Sequence, residues 1–498
     1  VPFSRRRVFH IIGGAVVLVW IIMIGSLIKQ VHFDGSHKAT GTVPNAYAMT
    51  ETEREWMEIY LKDKKIGYSM TQIVPLEADY LIQEEIVMRL NLLGQPSVMR
   101  TFTRAVVDPR FILKSFKVRI TSGIVNFSIS GKVENGNIIM ETGNKEESVS
   151  QTMKLSGPPV IGSGLSQIFK SKQLKEGETF EFSLFDPSTM TQKPMSVKVA
   201  GRENVLLNDR KYDSWVLETK MWGHDLKFWL DESGNVLKEQ GVMGLTLVRA
   251  NADKALSDLE GDDVYDFYNM SSVNVKKKLR NVQQLSFLRM KVGGLKDSEF
   301  DPNGLHGGRQ IFKGDSLEIR KEKLPVEIPY VLPFFDESGE MKPFLQPEFN
   351  IQSENKTIRD LARDIVGKTN NPSVAARKFL EWVYENVEKK PVISVPSALE
   401  VLKTKVGDCN EHAVLFVALL RAVGIPARQC IGLVYVNNRF YYHAWTEAFL
   451  GSWISMDATL NQLPADVTHI KLLHGGLQEQ VEIISLINKL TLEIETYD

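Results

Sequence analysis

The stretch Gly407-Asp408-Cys409-Asn410-Glu411-His412-Ala413-Val414-Leu415-Phe416-Val417-Ala418-Leu419-Leu420-Arg421 decides the fold of the C-terminal part of this chain. Asp408 with Glu411 three residues later makes a capping box, in which each side chain answers a backbone N–H at a helix start. The spacing predicts a helix to about Arg421, stopped by Gly424 and Pro426. Ala413 to Leu420 is apolar on every face, so this helix belongs in the middle of a domain. Cys409 is its expected first residue, where free N–H groups and the positive end of the macrodipole favour a thiolate.

Upstream, the apolar period is helical. Ile358, Leu361, Ala362 and Ile365 stand at i, i+3, i+4 and i+7, closed by Gly367. Asn371-Pro372 starts a second helix with a stripe of Ala376, Leu380, Val383 and Val387, and Ser397 with Glu400 caps a short third. Downstream the period becomes two. Strands are expected over Ala427 to Tyr435, Arg439 to Phe449 and Trp453 to Asp457, and their short links make them antiparallel neighbours. Tyr441, His443, Trp445 and Glu447 share one strand face, and a hairpin around Gly451 brings His443 within a residue or two of Asp457. A thiol at a helix start, an imidazole on a strand and a carboxylate on the next strand fit acyl chemistry. Cys409 would attack a carbonyl, His443 would exchange protons, and Asp457 would fix the tautomer and stabilise imidazolium. The other cysteine, Cys430, lies within a β-like run and reads as packing. His412 and Glu411 read as structural, and Arg428 as a partner in a salt link.

Gly407 to His412, Leu420 to Arg428, His443-Ala444-Trp445, and Trp453 with Met456 to Thr459 together resemble the core of the transglutaminase-like superfamily. That resemblance covers about Thr357 to Leu473. It implies a papain-like fold with Cys409 as nucleophile, His443 as general acid/base and Asp457 as its orienting partner. Ala458 stands where many members have Pro. The N-terminal segment and the β regions are similar to those of bacterial membrane-bound members. The implied reaction passes through a thioester acyl-enzyme formed from an amide. Water as acceptor gives a peptidase or deamidase outcome, and an amine gives cross-linking. The alternatives are a cysteine peptidase or amidase, and a non-enzymatic envelope binding protein with a silent core.

The rest of the chain is chemically quiet. From 51 to 255 the pattern is that of an antiparallel β domain, in which Ile82, Glu84, Ile86, Met88, Leu90 and Leu92 oppose Gln83, Glu85, Arg89 and Asn91. Asn135-Gly136 and Asp231 to Asn235 supply hairpin turns. A smaller β unit is expected over 270–323, then a Pro-rich linker over 324–350 containing Pro325, Pro329, Pro333, Pro343 and Pro347. The catalytic core spans 355–475 and a C-terminal segment 476–498. Lys276, Lys277, Lys278 and Arg280 read as a solvated strand face.

The 498 residues carry 60 Lys plus Arg against 61 Asp plus Glu, a formal net charge of -1, which gives no electrostatic footprint for nucleic acid. Two cysteines rule out a disulfide scaffold or a four-cysteine metal site. His469 and His474 are five residues apart and not on one helical face. With no HExxH motif and no phosphate-cradling glycine loop, no metal or cofactor is expected. At the N-terminus Arg5, Arg6 and Arg7 precede Val8 to Ile28, an uncharged run of 21 residues. At about 1.5 Å per residue it is long enough to span a hydrocarbon core of about 30 Å. No A-x-A-like site follows it. The expectation is a membrane protein with a single-pass anchor, a cytoplasmic N-terminus and a periplasmic or otherwise extracytoplasmic catalytic domain that meets a protein or peptide substrate there. The predicted fold class is therefore α+β, with an N-terminal transmembrane helix, antiparallel β-rich domains and a C-terminal papain-like transglutaminase core.

Overall fold

Strand propensity dominates the first half of the computed structural model. The structure describes residues 49–498 apart from 93–94, 124, 143–148, 208, 222, 258–270, 297, 299, 393–394, 396, 477–478, 480–481 and 484. Fifteen strands, from β1 (Glu53–Leu61) to β15 (Leu245–Ala250), form one sheet. It consists of two meanders joined where β1 pairs antiparallel with β15. Its two edge strands, Val149–Lys154 and Pro159–Val160, are close neighbours in sequence. The two halves meet through their apolar faces, with the rings of Phe116 and Phe185 5.4 Å apart. Helix α1 (Leu165–Lys170) adds Ile168 and Phe169 to that interior. Asn135 and Gly136 both take positive φ in the turn between Val125–Glu134 and Asn137–Thr142, which explains those residue types there.

The second half mixes helices with a smaller sheet. Strand β16 (Val273–Asn274) joins a later sheet, and β17 (Phe287–Gly293), β18 (Gln310–Lys313) and β19 (Ser316–Arg320) form another. Helices α2 (Lys356–Val366), α3 (Pro372–Asn386), α4 (Ala398–Thr404) and α5 (Cys409–Ala422) follow, with the two-residue strands β20 (Glu388–Lys389) and β21 (Val406–Gly407) pairing between them. Then come β22 (Ala427–Val436), β23 (Arg439–Phe449), β24 (Trp453–Met456), β25 (Ile470–His474) and β26 (Thr491–Tyr497). The order β16-β23-β22-β25, with β24 following β16 along the same edge of β23, is antiparallel at every pairing. Strand β26 returns to β17, so residues about 200 apart complete one four-stranded sheet. Helix α5 is buried along Glu411 to Arg421, with α2, α3 and α4 around it and Ala427, Ala448, Ile454 and Met456 beneath it. The all-round apolar run has the environment it requires.

The membrane part of the sequence reading is corrected here. Val8 to Ile28 lies outside the described residues, and among the described residues no helix is long and apolar enough to cross a membrane. The longest described helix, α3, has 15 residues and carries Arg377, Lys378, Glu381 and Glu385. At about 1.5 Å per residue it falls short of a hydrocarbon core, and its charges would be stranded there. The expected fold class with an N-terminal transmembrane helix gives way to a strand-rich antiparallel α+β architecture. The single-pass placement of the chain, with an extracytoplasmic catalytic domain, falls with it.

Candidate active site

Cys409 opens α5. Asp408 Oδ1 accepts the Asn410 backbone N–H at 2.9 Å, and Glu411 Oε2 accepts that of Asp408 at 3.0 Å. A Cβ on Gly407 would lie 2.2 Å from Glu411 Cβ, so the capping box closes only over glycine. One turn in, fully buried His412 sets Nδ1 2.6 Å from the Asp408 carbonyl and Nε2 3.3 Å from that of Val387, a bracing role. The Ala444 backbone N–H reaches the Cys409 sulfur, which puts the thiol beside the residue directly after His443. Cys409 keeps an exposed edge, yet burial, then Asp408, Glu411 and Asp457, push its thiol well above the ordinary range against the pull of that N–H. This differs from the thiolate that a helix start alone favours: desolvation and neighbouring carboxylates outweigh the macrodipole.

His443 lies on β23 opposite Gly432 of β22, and Thr446 pairs with Met456 of β24. Continuing that register puts Asp457 beside Trp445, diagonal to His443 and on the same face. His443 Nε2 and Asp457 Oδ2 are 2.7 Å apart. The Asp457 Oδ1 atom accepts backbone N–H groups from Thr459 at 2.7 Å and Leu460 at 3.0 Å, which locks the carboxylate. Asp457 is fully buried. Burial alone would raise it, but the charges and hydrogen bonds of His443 and His469 hold it far below the usual carboxylate range. The His443 ring stacks on buried Trp445, with centroids 6.2 Å apart and planes 19° apart. Gly432 is equally constrained, because a Cβ there would lie 1.9 Å from the Ile470 carbonyl oxygen. Glycine at 432 is what lets β25 close onto the strand beside His443.

The structure adds His469, which sequence reasoning weighed only as a metal ligand. It is wholly buried between β24 and β25, with Nε2 2.9 Å from Asp457 Oδ2 and Nδ1 3.3 Å from Asp466 Oδ1. Burial opposes its charge, yet hydrogen bonds to Asp457 and Asp466 and their charges raise it to about 9. The signal available in sequence was the i,i+3 spacing of Asp466 and His469. A strut from the β18–β19 unit holds this segment. Arg309 Nη2 donates to the His469 carbonyl at 2.8 Å, and its Nη1 donates to Ala465 O at 2.7 Å and Glu322 Oε2 at 2.9 Å. Glu322 Oε1 in turn accepts from Ser455 N at 3.0 Å and Oγ at 2.8 Å.

Cys430 is elsewhere, fully buried on β22 and paired opposite Trp445. Near it Arg428 Nε and Nη2 donate to Glu447 Oε2 at 2.9 and 2.6 Å, with His474 Nε2 2.9 Å from the same oxygen. Among the described residues two groups have metal-ligand chemistry, Cys430 with Glu447 and His474, and His443 with Asp457 and His469. In both, N–H donors already engage the carboxylate, and Arg428 sets a permanent cation against Glu447, so neither supports a metal assignment.

A thiol at the start of a buried helix, beside a strand histidine held by a buried aspartate, defines a class of cysteine-centred folds. Residues 359–458 match the model of the transglutaminase-like superfamily. Its match includes Cys409 and His443 and ends just past Asp457. Among solved structures the chain is similar to a proposed cysteine protease from Cytophaga hutchinsonii, at 21% identity and a TM-score of 0.28 over 43% of this chain and 86% of that one. It is also similar to a β-barrel-like protein of domain family DUF1849 from Brucella abortus, at 14% identity and a TM-score of 0.31 over 40% and 94%. A third is a proposed protease from Parabacteroides distasonis, at 9% identity and a TM-score of 0.20 over 71% and 68%. No curated protein matches the chain.

Proposed function

We propose that this protein is a thiol enzyme acting on amide bonds of a protein or peptide, with Cys409 as nucleophile, His443 as general acid/base and Asp457 as its orienting partner. The observation that carries the reading is the 2.7 Å contact from His443 Nε2 to Asp457 Oδ2, with the Cys409 sulfur reached by the N–H of Ala444. In the first step Cys409 Sγ bonds to the carbonyl carbon and its proton passes to the His443 nitrogen that Asp457 does not hold. That proton then goes to the leaving nitrogen as the C–N bond breaks, giving a thioester. In the second step water or an amine attacks, His443 takes its proton, and the C–S bond breaks to return the thiol. Hydrolysis and transfer share every residue of this scheme, and the acceptor alone separates them.

The test incubates the protein with glutamine-containing peptides, with and without a primary amine, and reads products by mass. Amine adducts mean transfer, a gain of about one mass unit means deamidation, and cleaved chains mean peptidase action. Cys409→Ala should abolish whichever product appears. Turnover that survives this substitution in a folded protein would defeat the proposal, and so would a complete lack of product together with equal, slow alkylation of Cys409 and Cys430.

A further inference from the structure

We infer that His469 is a positioning residue that divides the Asp457 carboxylate between two imidazoles, so that the resting Cys409–His443 pair is an uncharged thiol and imidazole. This rests on the proposed roles of Cys409 and His443. The hydrogen-bond inventory carries it. Both ring nitrogens of His469 face carboxylate oxygens, Asp457 Oδ2 at 2.9 Å and Asp466 Oδ1 at 3.3 Å. Asp466 also accepts from Thr468 N at 2.9 Å, Thr468 Oγ1 at 2.6 Å and Gln462 Nε2 at 2.9 Å, so it is an ionised acceptor. Two ionised acceptors require two N–H donors, and an imidazole with two N–H groups is a cation.

That cation has consequences for His443. Its Nε2 and the Nε2 of His469 converge on the same oxygen of Asp457. The two rings lie 5.7 Å apart between centroids, so a second positive charge on His443 would face the first across one carboxylate. A carboxylate that serves one imidazolium favours the thiolate–imidazolium form of a cysteine–histidine pair, and one already matched by another imidazolium favours it less. The other charges nearby do not restore it. Asp408, which caps α5, and Glu411 within it disfavour the Cys409 thiolate by their charge. Lys389 on β20 is close enough to Asp457 to act on it. Arg309 is spent on Glu322 and on the carbonyls of Ala465 and His469. In this arrangement the Cys409 proton moves to His443 during attack and not before it.

The experiment follows iodoacetamide alkylation of Cys409 against pH, resolved from Cys430 by mass, in the wild type, His469→Gln and His443→Gln. His469→Gln removes the competing charge and should lower the midpoint of Cys409 alkylation by about one pH unit or more, because His443 imidazolium then has Asp457 to itself. A residue that only packs would slow turnover and leave the midpoint where it was, and that result overturns the inference. His443→Gln serves if His469→Gln does not fold. An uncharged resting pair predicts the same midpoint as the wild type, whereas a resting ion pair predicts a rise of about one unit or more and overturns the inference. If Cys409→Ala retains turnover, the proposed function fails first. If Cys409 is needed but the midpoints behave otherwise, only the role of His469 fails.

Discussion

One face of β23 carries two clusters of the same ingredients. Around His443 stand Asp457, His469 and the thiol of Cys409, and around Glu447 stand Arg428, His474 and Cys430. Trp445 separates them, stacked on His443 and paired across the sheet with Cys430. The difference lies in what answers each carboxylate. A guanidinium keeps its proton throughout the accessible pH range, and that of Arg428 donates twice to one oxygen of Glu447. Burial alone would raise this carboxyl, but the hydrogen bond of His474 and the charges of Lys471, His474 and Arg428 hold it well below its usual range. Asp457 is answered by two imidazoles, both able to give up a proton. Cys430 has no exposed edge and sits in mid-strand, while Cys409 has one and begins a helix. A cysteine, a histidine and a carboxylate are therefore not sufficient for a nucleophilic site. Access, and a carboxylate met by imidazoles and not by a guanidinium, separate the proposed nucleophilic set from the other one.

The sharpest way to break this contrast is to truncate each thiol. Cys409→Ala should reduce turnover to background with little change in melting temperature, whereas Cys430→Ala should keep turnover and cost roughly 1–2 kcal/mol as a small core void. Activity assays and thermal melts of the two variants decide it, and the reverse pattern would exchange the assignments. Next come the carboxylates. Asp457→Asn should lower kcat by about 10³ to 10⁴ by presenting the wrong hydrogen-bonding pattern to His443. Glu447→Gln leaves Arg428 without its counter-charge and should cost about 3 kcal/mol of stability, with turnover of the surviving folded fraction nearly intact. A smaller effect on kcat is expected from Arg309→Met. It releases the carbonyls of Ala465 and His469 and leaves Glu322 unpaired, and a loss of about tenfold in kcat with KM held is the signature of a misplaced positioning segment.

The two clusters also differ in how far they can be read from sequence. The helix start at Cys409 is local: Asp408 and Glu411 write it into consecutive residues, and the apolar run behind it announces burial. His443 and Asp457 follow from alternation and a short hairpin, because antiparallel register converts spacing into distance. The large sheet is legible for the same reason, since most of its neighbours are consecutive strands. His469 is not legible in this way. It lies in a segment without period, held by Arg309 from 160 residues away, and nothing in its immediate sequence but Asp466 points to Asp457. The pairing of β26 with β17 is equally distant, and the need for glycine at 432 appears only once Ile470 is seen against it. Local patterns set the elements, and the long-range polar contacts that tune them need the folded chain.

The gentlest probe uses pH, and it separates the clusters without touching either thiol. The folded-state value of His469, about 9, lies above the ordinary histidine value of about 6.5 that it takes when unfolded. Folding therefore binds an extra proton in that window. The contribution of the imidazolium is complete below about pH 6.5 and is lost as the pH rises through about 9. The Glu447 cluster behaves differently, because its carboxylate is held low, a guanidinium keeps its proton, and burial lowers His474 below the ordinary histidine value. Its contribution is therefore level above the ordinary histidine value of about 6.5 and is lost only at lower pH, as His474 and then the glutamate take up protons. Thermal melts of the wild type, His469→Gln and Glu447→Gln between about pH 7 and pH 9.5 test this. The gap between wild type and His469→Gln should narrow across the range, while the gap to Glu447→Gln should stay level. If both gaps stay level, His469 is a neutral hydrogen-bond donor to Asp457, and the two carboxylates are held in the same way.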